Sequence, residues 1–350
     1  MISDRKYEHL IICKNSDVEY KKTTRFEDIQ LIHRSLPEVN LEDIDTSINL
    51  FGKKLETPLM ISALTGGHPL STNINKELAI SAENKQIAMG VGSQRAAVVN
   101  KNLRESYDVV RENAPSTTII GNIGAPQIEY AKDATSLIEA DALAVHLNPL
   151  QEIIQPEGDV NAKGYIKDLE MICDEIDIPV VAKETGAGIS KEDARILEKI
   201  GINTIDIQGS GGTSWAAVET YRAENTELGN LFWNWGIPTA ISTIETLDNV
   251  SLPVISSGGI RNGLEAAKAI ALGASCVGIG LPFLKHSYHG HEYTEKQIEK
   301  FTTELKTAMF LVGASNIKEL QEKNIVISGK TREYLNEIGI NTKKYARRNE

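Results

Sequence analysis

The chain has 350 residues, 41% hydrophobic and 24% charged, with 37 basic against 48 acidic side chains and a net charge of −11. That composition suits a large buried core and excludes a disordered or fibrous chain. No long Lys/Arg run occurs beyond the short Lys343-Lys344 and Arg347-Arg348 tail, which argues against a nucleic-acid partner. Three cysteines, Cys13, Cys173 and Cys276, lie far apart without CxxC spacing, so neither a disulfide framework nor a zinc site is expected. The first residues lead into no signal-peptide core, and no run approaches the ~20 apolar residues of a membrane span, so a cytoplasmic setting without membrane contact is expected.

In chain order, residues 1–57 read as an N-terminal extension. Its arm carries Arg5, Lys6 and His9, which are anion-binding candidates on a stretch whose composition reads as a solvated tail. Apolar runs rich in β-branched residues then recur at Pro58–Ala63, Ile87–Val91, Thr117–Gly121, Asp141–His146, Pro179–Lys183, Thr204–Gln208, Pro253–Ser257 and Ser275–Gly280, each the pattern of a strand buried on both faces. Between them, helical spacing predicts helices over Asn75–Lys85, Asn102–Asn113, Gln127–Glu139, Tyr165–Ile176, Lys191–Ile200 and Leu264–Leu272. Eight βα repeats over 58–290 predict an α/β fold, a closed (β/α)8 TIM barrel as one domain. A doubly wound sheet would want a G-x-G-x-x-G turn after the first strand, where Thr65-Gly66-Gly67 stands instead. Gly209–Ile237, after strand six, is too long for a plain βα loop and carries Trp215, Trp233 and Trp235, so it is expected to cap the barrel mouth. Residues 291–350 read as a closing helix, Tyr293–Gly313, and a polar C-terminal extension.

The chemically rich residues follow strands: Thr65-Gly66-Gly67, Ser93-Gln94-Arg95, Asn122, His146 to Glu152, Lys183-Glu184, Ser210 to Trp215 and Gly258 to Arg261. Loops are polar anyway, but such ends on most strands describe the catalytic face of a barrel. After strand seven, Ser257-Gly258-Gly259-Ile260-Arg261 and, after strand eight, Gly280-Leu281 offer backbone N–H groups and helix starts to an anion, a pattern that resembles the phosphate grip of flavin mononucleotide barrels. FMN is therefore the expected cofactor, with Lys183 near its pyrimidine edge. The His146-to-Glu152 segment packs an imidazole, two amides and a carboxylate beside one strand end. That density suits a polar substrate and a metal, with Glu152 anchoring a diphosphate-bound Mg²⁺. Taken singly, Glu152 would read as a helix-start carboxylate and His146 as a core histidine.

These motifs, from Arg5-Lys6-x-x-His9 through Gly92-Ser93-Gln94-Arg95, His146-x-Asn148-x-x-Gln151-Glu152, Lys183-Glu184-x-Gly186-x-Gly188 and Gly211-Gly212-Thr213-x-Trp215 to Gly258-Gly259-Ile260-Arg261, resemble the type 2, flavin-dependent isopentenyl-diphosphate delta-isomerases over most of the chain. The resemblance implies an FMN-dependent oxidoreductase-like barrel that interconverts isopentenyl and dimethylallyl diphosphates in isoprenoid biosynthesis. It implies reduced FMN as acid and base, Mg²⁺, NADPH as reductant and a homo-oligomer, tetramer or octamer. It also implies substrate contacts from Arg5, Lys6, Ser93, Gln94, Arg95, His146, Asn148 and Gln151, and Mg²⁺ on Glu152. FMN contacts would come from Ser62, Ala63, Leu64, Thr65, Ser93, Asn122, Lys183, Thr213, Gly258, Gly259, Ile260, Arg261, Gly280 and Leu281. At the reacting end it implies Gln151, His146, Trp215 and Glu219.

Two other readings remain. An FMN-dependent 2-hydroxy-acid oxidase or dehydrogenase would share the barrel but wants a histidine base after strand six, where Gln208 to Thr213 contains none. A non-catalytic flavin-binding sensor has no use for the His146, Gln151 and Glu152 cluster.

Overall fold

A computed structural model describes residues 2–348 of the chain. Eight parallel strands close into a barrel: β1 (Leu59–Ile61), β2 (Ala88–Gly90), β3 (Ile119–Gly124), β4 (Ala142–Leu147), β5 (Val180–Glu184), β6 (Thr204–Asp206), β7 (Val254–Ser257) and β8 (Cys276–Ile279). Neighbours follow chain order and β8 closes on β1, with Val277 opposite Leu59 and Ile279 opposite Ile61. All eight predicted strands are present; five lie within their apolar runs, while β3, β4 and β5 continue past them to Gly124, Leu147 and Glu184.

The two-residue period of a strand divides these residues between two environments. Met60, Ala88, Ile120, Ala142, Ala144, Val181, Ile255 and Cys276 point inward and pack as one cluster. Their alternates, among them Leu59, Ile61, Met89, Ile119, Leu143, Val145 and Val254, pack outward in the larger clusters that include the surrounding helices. A hairpin of Ile48–Leu50 and Lys53–Leu55 adds Leu50 and Leu55 to the inner cluster, plugging the N-terminal end of the barrel.

The helices begin where their caps require. His68 accepts from the amide of Leu70 with Pro69 in the first turn of Pro69–Lys85, Ser190 accepts from Asp193 at the start of Lys191–Lys199, and Asn262 from Glu265 at the start of Gly263–Leu272. One barrel helix absent from the sequence reading, Thr239–Leu247, is buried at nearly every position, so no polar face marks its period. The closing helix runs His291–Val312 and stops at Gly313, left-handed at φ 67°. The polar C-terminal extension is ordered: Ile325–Ile327 pairs antiparallel with Ile29–Leu31 from the N-terminal extension.

The solvated-tail reading of the arm is corrected. Ile2–Asn15 is a helix, with Leu10 and Cys13 buried in the main core cluster. The following segment is sewn to the loop after β6: Ser214 donates its amide to Val18 O at 2.7 Å, Tyr20 to Gly212 O at 2.8 Å, and the Trp233 indole to Glu19 O at 3.0 Å. That loop holds helices Trp215–Thr220 and Glu227–Phe232 and forms the expected cap.

Leu55 is wholly buried in the barrel plug. Leu55→Ala is expected to cost about 2–5 kcal/mol of stability through lost burial and a residual cavity. Denaturant unfolding monitored by circular dichroism checks it.

Candidate active site

Because every barrel strand is parallel, all eight C-terminal ends open on one mouth. Two adjoining chambers occupy it, of about 120 and 210 Å³, bordered in common by Lys6, His9, Ala63, Leu64, Thr185, Gln208 and Trp215. The smaller chamber is bordered by Ser62, Ala63, Leu64, Thr65, Thr213, Gly258, Gly259, Ile260, Arg261, Gly280 and Leu281. The larger is bordered by Arg5, Lys6, Ser93, Arg95, Asn122, His146, Asn148, Gln151, Glu152 and Lys183. The residues expected to hold the cofactor and those expected to hold the substrate therefore fall largely into separate halves of one mouth.

Glycine shapes the smaller chamber. Gly258 and Gly259 sit at φ 101° and 76°. A Cβ on Gly258 would lie 2.1 Å from the carbonyl oxygen of Gly209, and one on Gly259 2.5 Å from the backbone of Gly211. Only glycine lets the β7 turn pass the β6 loop this closely. The resulting cradle of small residues ahead of helix Gly263–Leu272 fits a phosphate-bearing flavin. The Arg261 guanidinium is engaged with Glu19, its Nε 3.1 Å from Oε1, so the side chain is turned to the N-terminal extension.

Gln94 departs from its expected role. Its side chain accepts from the Asn122 amide at 2.9 Å and donates to Ala134 O at 2.7 Å, wholly buried in the barrel wall. Both ends of the amide are spent on structure, so Gln94 is corrected from substrate ligand to support for Asn122. Glu219 borders neither chamber. It is fully buried behind the mouth, accepting from Gln151 Nε2 at 2.8 Å and standing 2.9 Å from His9 Nε2. The sequence reading gave no part to Gln208, Thr185 or Gln155; the first two were visible as strand-end polar residues, whereas Gln155 carried no signal.

The electrostatics of the larger chamber favour an anion. Burial, then Lys183, Lys6 and Arg5, bring His146 down to about 3, so its imidazole is neutral. Asn122 donates to Val91 O at 3.0 Å, which leaves its Oδ1 to accept from His146 Nδ1 at 2.9 Å and fixes the tautomer. Burial and the Arg5 charge bring Lys6 down to about 8. At the chamber floor, burial lowers Lys183 against the opposing pull of Asp206 and Glu184, and Lys183 donates to Glu184 O at 2.8 Å. Asp206, itself raised by burial, is held by Ser257 and Gln208.

Glu152 accepts from Asn148 Nδ2 and from the Asp159 amide, both at 2.8 Å. Among the described residues no group of three or more His, Cys, Asp or Glu side chains is placed to hold a metal. A single carboxylate at the chamber edge fits Mg²⁺ that takes its remaining ligands from substrate phosphate and water.

A family profile described as FMN-dependent dehydrogenase matches residues 3–108 and 158–327. An isopentenyl-diphosphate delta-isomerase of Methanothermobacter thermautotrophicus is 57% identical, over 99% of this chain and all of that protein. One of Methanococcus maripaludis is 47% identical over 96% of this chain and 99% of its own. Among solved structures, a flavocytochrome b2 mutant with sulfite bound aligns with a TM-score of 0.69 at 19% identity, covering 97% of this chain and 91% of that one. A lactate oxidase from Pediococcus acidilactici gives 0.65 at 16%, covering 88% and 86%. Those structures share the barrel fold.

An anion entering the larger chamber stabilises the charged form of Lys6. With Lys6 near 8, inorganic pyrophosphate is expected to bind with net proton uptake at pH 8 and to weaken as the pH rises further, because the cation is lost above that value. Calorimetric titration in buffers of different ionisation heat reads the uptake. Lys6→Met should weaken binding and flatten its dependence above pH 8; unchanged affinity and uptake would place Lys6 outside the anion site.

Proposed function

The chain belongs to the FMN-dependent dehydrogenase family and, within it, to the isopentenyl-diphosphate delta-isomerases; on that membership and the geometry of the barrel mouth, we propose that it interconverts isopentenyl and dimethylallyl diphosphates. The observation that carries this reading is the pairing of a glycine-built cofactor cradle with a cation-lined chamber in one mouth.

FMN would be held by Ser62 to Thr65, Thr213, Gly258 to Arg261, Gly280 and Leu281, with Ser93, Asn122 and Lys183 toward the substrate side. When bound and reduced, FMN supplies the proton donor and acceptor for moving the double bond. Arg5, Lys6, Ser93 and Arg95 bind the diphosphate, with neutral His146, Asn148 and Gln151 orienting it. Glu152 would hold Mg²⁺, which would supply charge neutralisation at the diphosphate. Trp215 borders both chambers and helix Ile2–Asn15 roofs them, so together they exclude the water that would trap a cation-like centre in the hydrocarbon end. Lys183, held by Glu184 O and in the field of Asp206, would offer positive charge toward the cofactor. Glu219 acts from behind the mouth, fixing Gln151 and His9. NADPH as the source of reducing equivalents, a cytoplasmic setting and a homo-oligomer of four or eight copies complete the proposal; no helix among the described residues is long and apolar enough to cross a membrane.

The hydroxy-acid alternative finds no support after β6. Ser210 stands in that loop, fully buried and bordering neither chamber.

With FMN reduced anaerobically and Mg²⁺ present, purified protein is expected to convert isopentenyl diphosphate to dimethylallyl diphosphate, while lactate or glycolate leaves oxidised flavin unbleached. Flavin reduction by a hydroxy acid, with no isomer formed, would overturn the proposal. Glu152→Gln is expected to lower turnover at least roughly 10–100-fold, the loss typical of disturbing a metal's ligand set, with FMN still bound. Unaffected turnover would contradict the metal assignment.

A further inference from the structure

Behind the mouth, one guanidinium serves three carboxylates from three parts of the chain. Arg222 Nη1 lies 2.6 Å from Glu219 Oε2, Nε 2.7 Å from Glu8 Oε2 on helix Ile2–Asn15, and Nη2 2.9 Å from Glu157 Oε1 in the loop after helix Pro149–Ile154. The Arg222 side chain is only 10% exposed and Glu219 is fully buried, so the pair is shielded from bulk water. Two more groups of the helix meet the cluster: Arg5 Nη1 is 3.7 Å from Glu157, and His9, whose pKa burial lowers, reaches Glu219. With its amide oriented to satisfy both ends, Gln155 bridges the same groups, donating to Glu219 Oε1 at 3.3 Å and accepting from Arg5 at 3.0 Å.

We propose that Arg222 is a positioning residue for the reaction: by holding Glu219 it sets the orientation of Gln151, and by gripping Glu8 it couples that orientation to the seating of the N-terminal helix over the mouth. The inference rests on the reading of Gln151 and Glu219 as reacting-end groups.

The chemistry explains why arginine stands here. A planar fork with five N–H donors reaches three carboxylates in three directions at once, which the single ammonium of lysine cannot do. One oxygen of Glu219 is taken by Arg222, and the other is left for Gln151 and His9. Removing the guanidinium frees the carboxylate to rotate, and Gln151 loses the fixed acceptor that holds its amide toward the substrate chamber. It also leaves Glu219 as an unpaired buried charge, which is costly enough to force a local rearrangement. The cap and the N-terminal helix thus close as one unit, and closure and alignment are the same event.

The test uses the FMN-loaded full chain and four variants: Arg222→Met, Arg222→Lys, Glu219→Gln and the double variant Arg222→Met with Glu219→Gln. Turnover number and KM are measured under reducing conditions, FMN affinity by fluorescence, and amide exchange over residues 4–15 by mass spectrometry. Arg222→Met is expected to lower kcat roughly 10–100-fold with FMN affinity unchanged, and to raise exchange in the helix. Arg222→Lys should recover part of that loss, because a cation beside Glu219 is restored, but not all of it, because one ammonium cannot also hold Glu8 and Glu157. In the double variant kcat should match Glu219→Gln within about threefold, since residues acting through one another are not additive. Independent losses that multiply, no recovery by lysine, or a loss confined to FMN affinity would overturn the positioning role. Glu219→Gln at wild-type kcat would instead overturn the reading of Glu219, and the inference with it.

Discussion

Positive charge gathered under a low-dielectric roof is the constraint on which the rest of this mouth depends. In a chain with a net charge of −11, Arg5, Lys6 and Lys183 converge around a histidine that their fields and its burial keep neutral. Such a group of cations is unfavourable by itself, and an anion of high charge relieves it. The glycine cradle beside it adds backbone dipoles with the same preference. Of the acidic side chains that hold the N-terminal helix, Glu219 is buried behind the chamber and Glu157 stands at its edge, and Arg222 compensates both together with Glu8.

The barrel supplies geometry, and the chemistry comes from what its strand ends carry. A lactate oxidase and a flavocytochrome b2 share this fold at 16–19% identity, while Gln208 to Thr213 after β6 contains no histidine to serve as the base that hydroxy-acid oxidation wants. A neutral imidazole, two amides and one metal-competent carboxylate after β4 suit the binding of a diphosphate whose hydrocarbon end reacts elsewhere. Sealing the mouth then matters more than a strong protein base, because a cation-like centre is destroyed by water. Trp215 and the N-terminal helix answer that need together, in edge contact through His9.

The strands were legible because parallel strands buried on both faces leave unbroken apolar runs, and the β7 turn because two consecutive glycines stand directly ahead of a helix. The membership of the larger chamber was legible wherever adjacent strand ends all turn upward. Gln94 was misplaced because adjacency in sequence does not give direction: Ser93 and Arg95 face the chamber while the residue between them faces the wall. The N-terminal helix was missed because its polar residues, Arg5, Lys6, Glu8 and His9, read as solvent-facing until their partners on distant segments are known. Arg222 left only its i−3 neighbour Glu219 as a local signal, since its other partners Glu8 and Glu157 lie 214 and 65 residues away.

Proton NMR of the reaction in D₂O tests the central claim most directly, with anaerobically reduced FMN-loaded protein, isopentenyl diphosphate and Mg²⁺. The account predicts dimethylallyl methyl signals with solvent deuterium incorporated at carbon only when the flavin is reduced. Isomer formed equally well with oxidised flavin, or no isomer from folded and flavin-loaded protein, would contradict it.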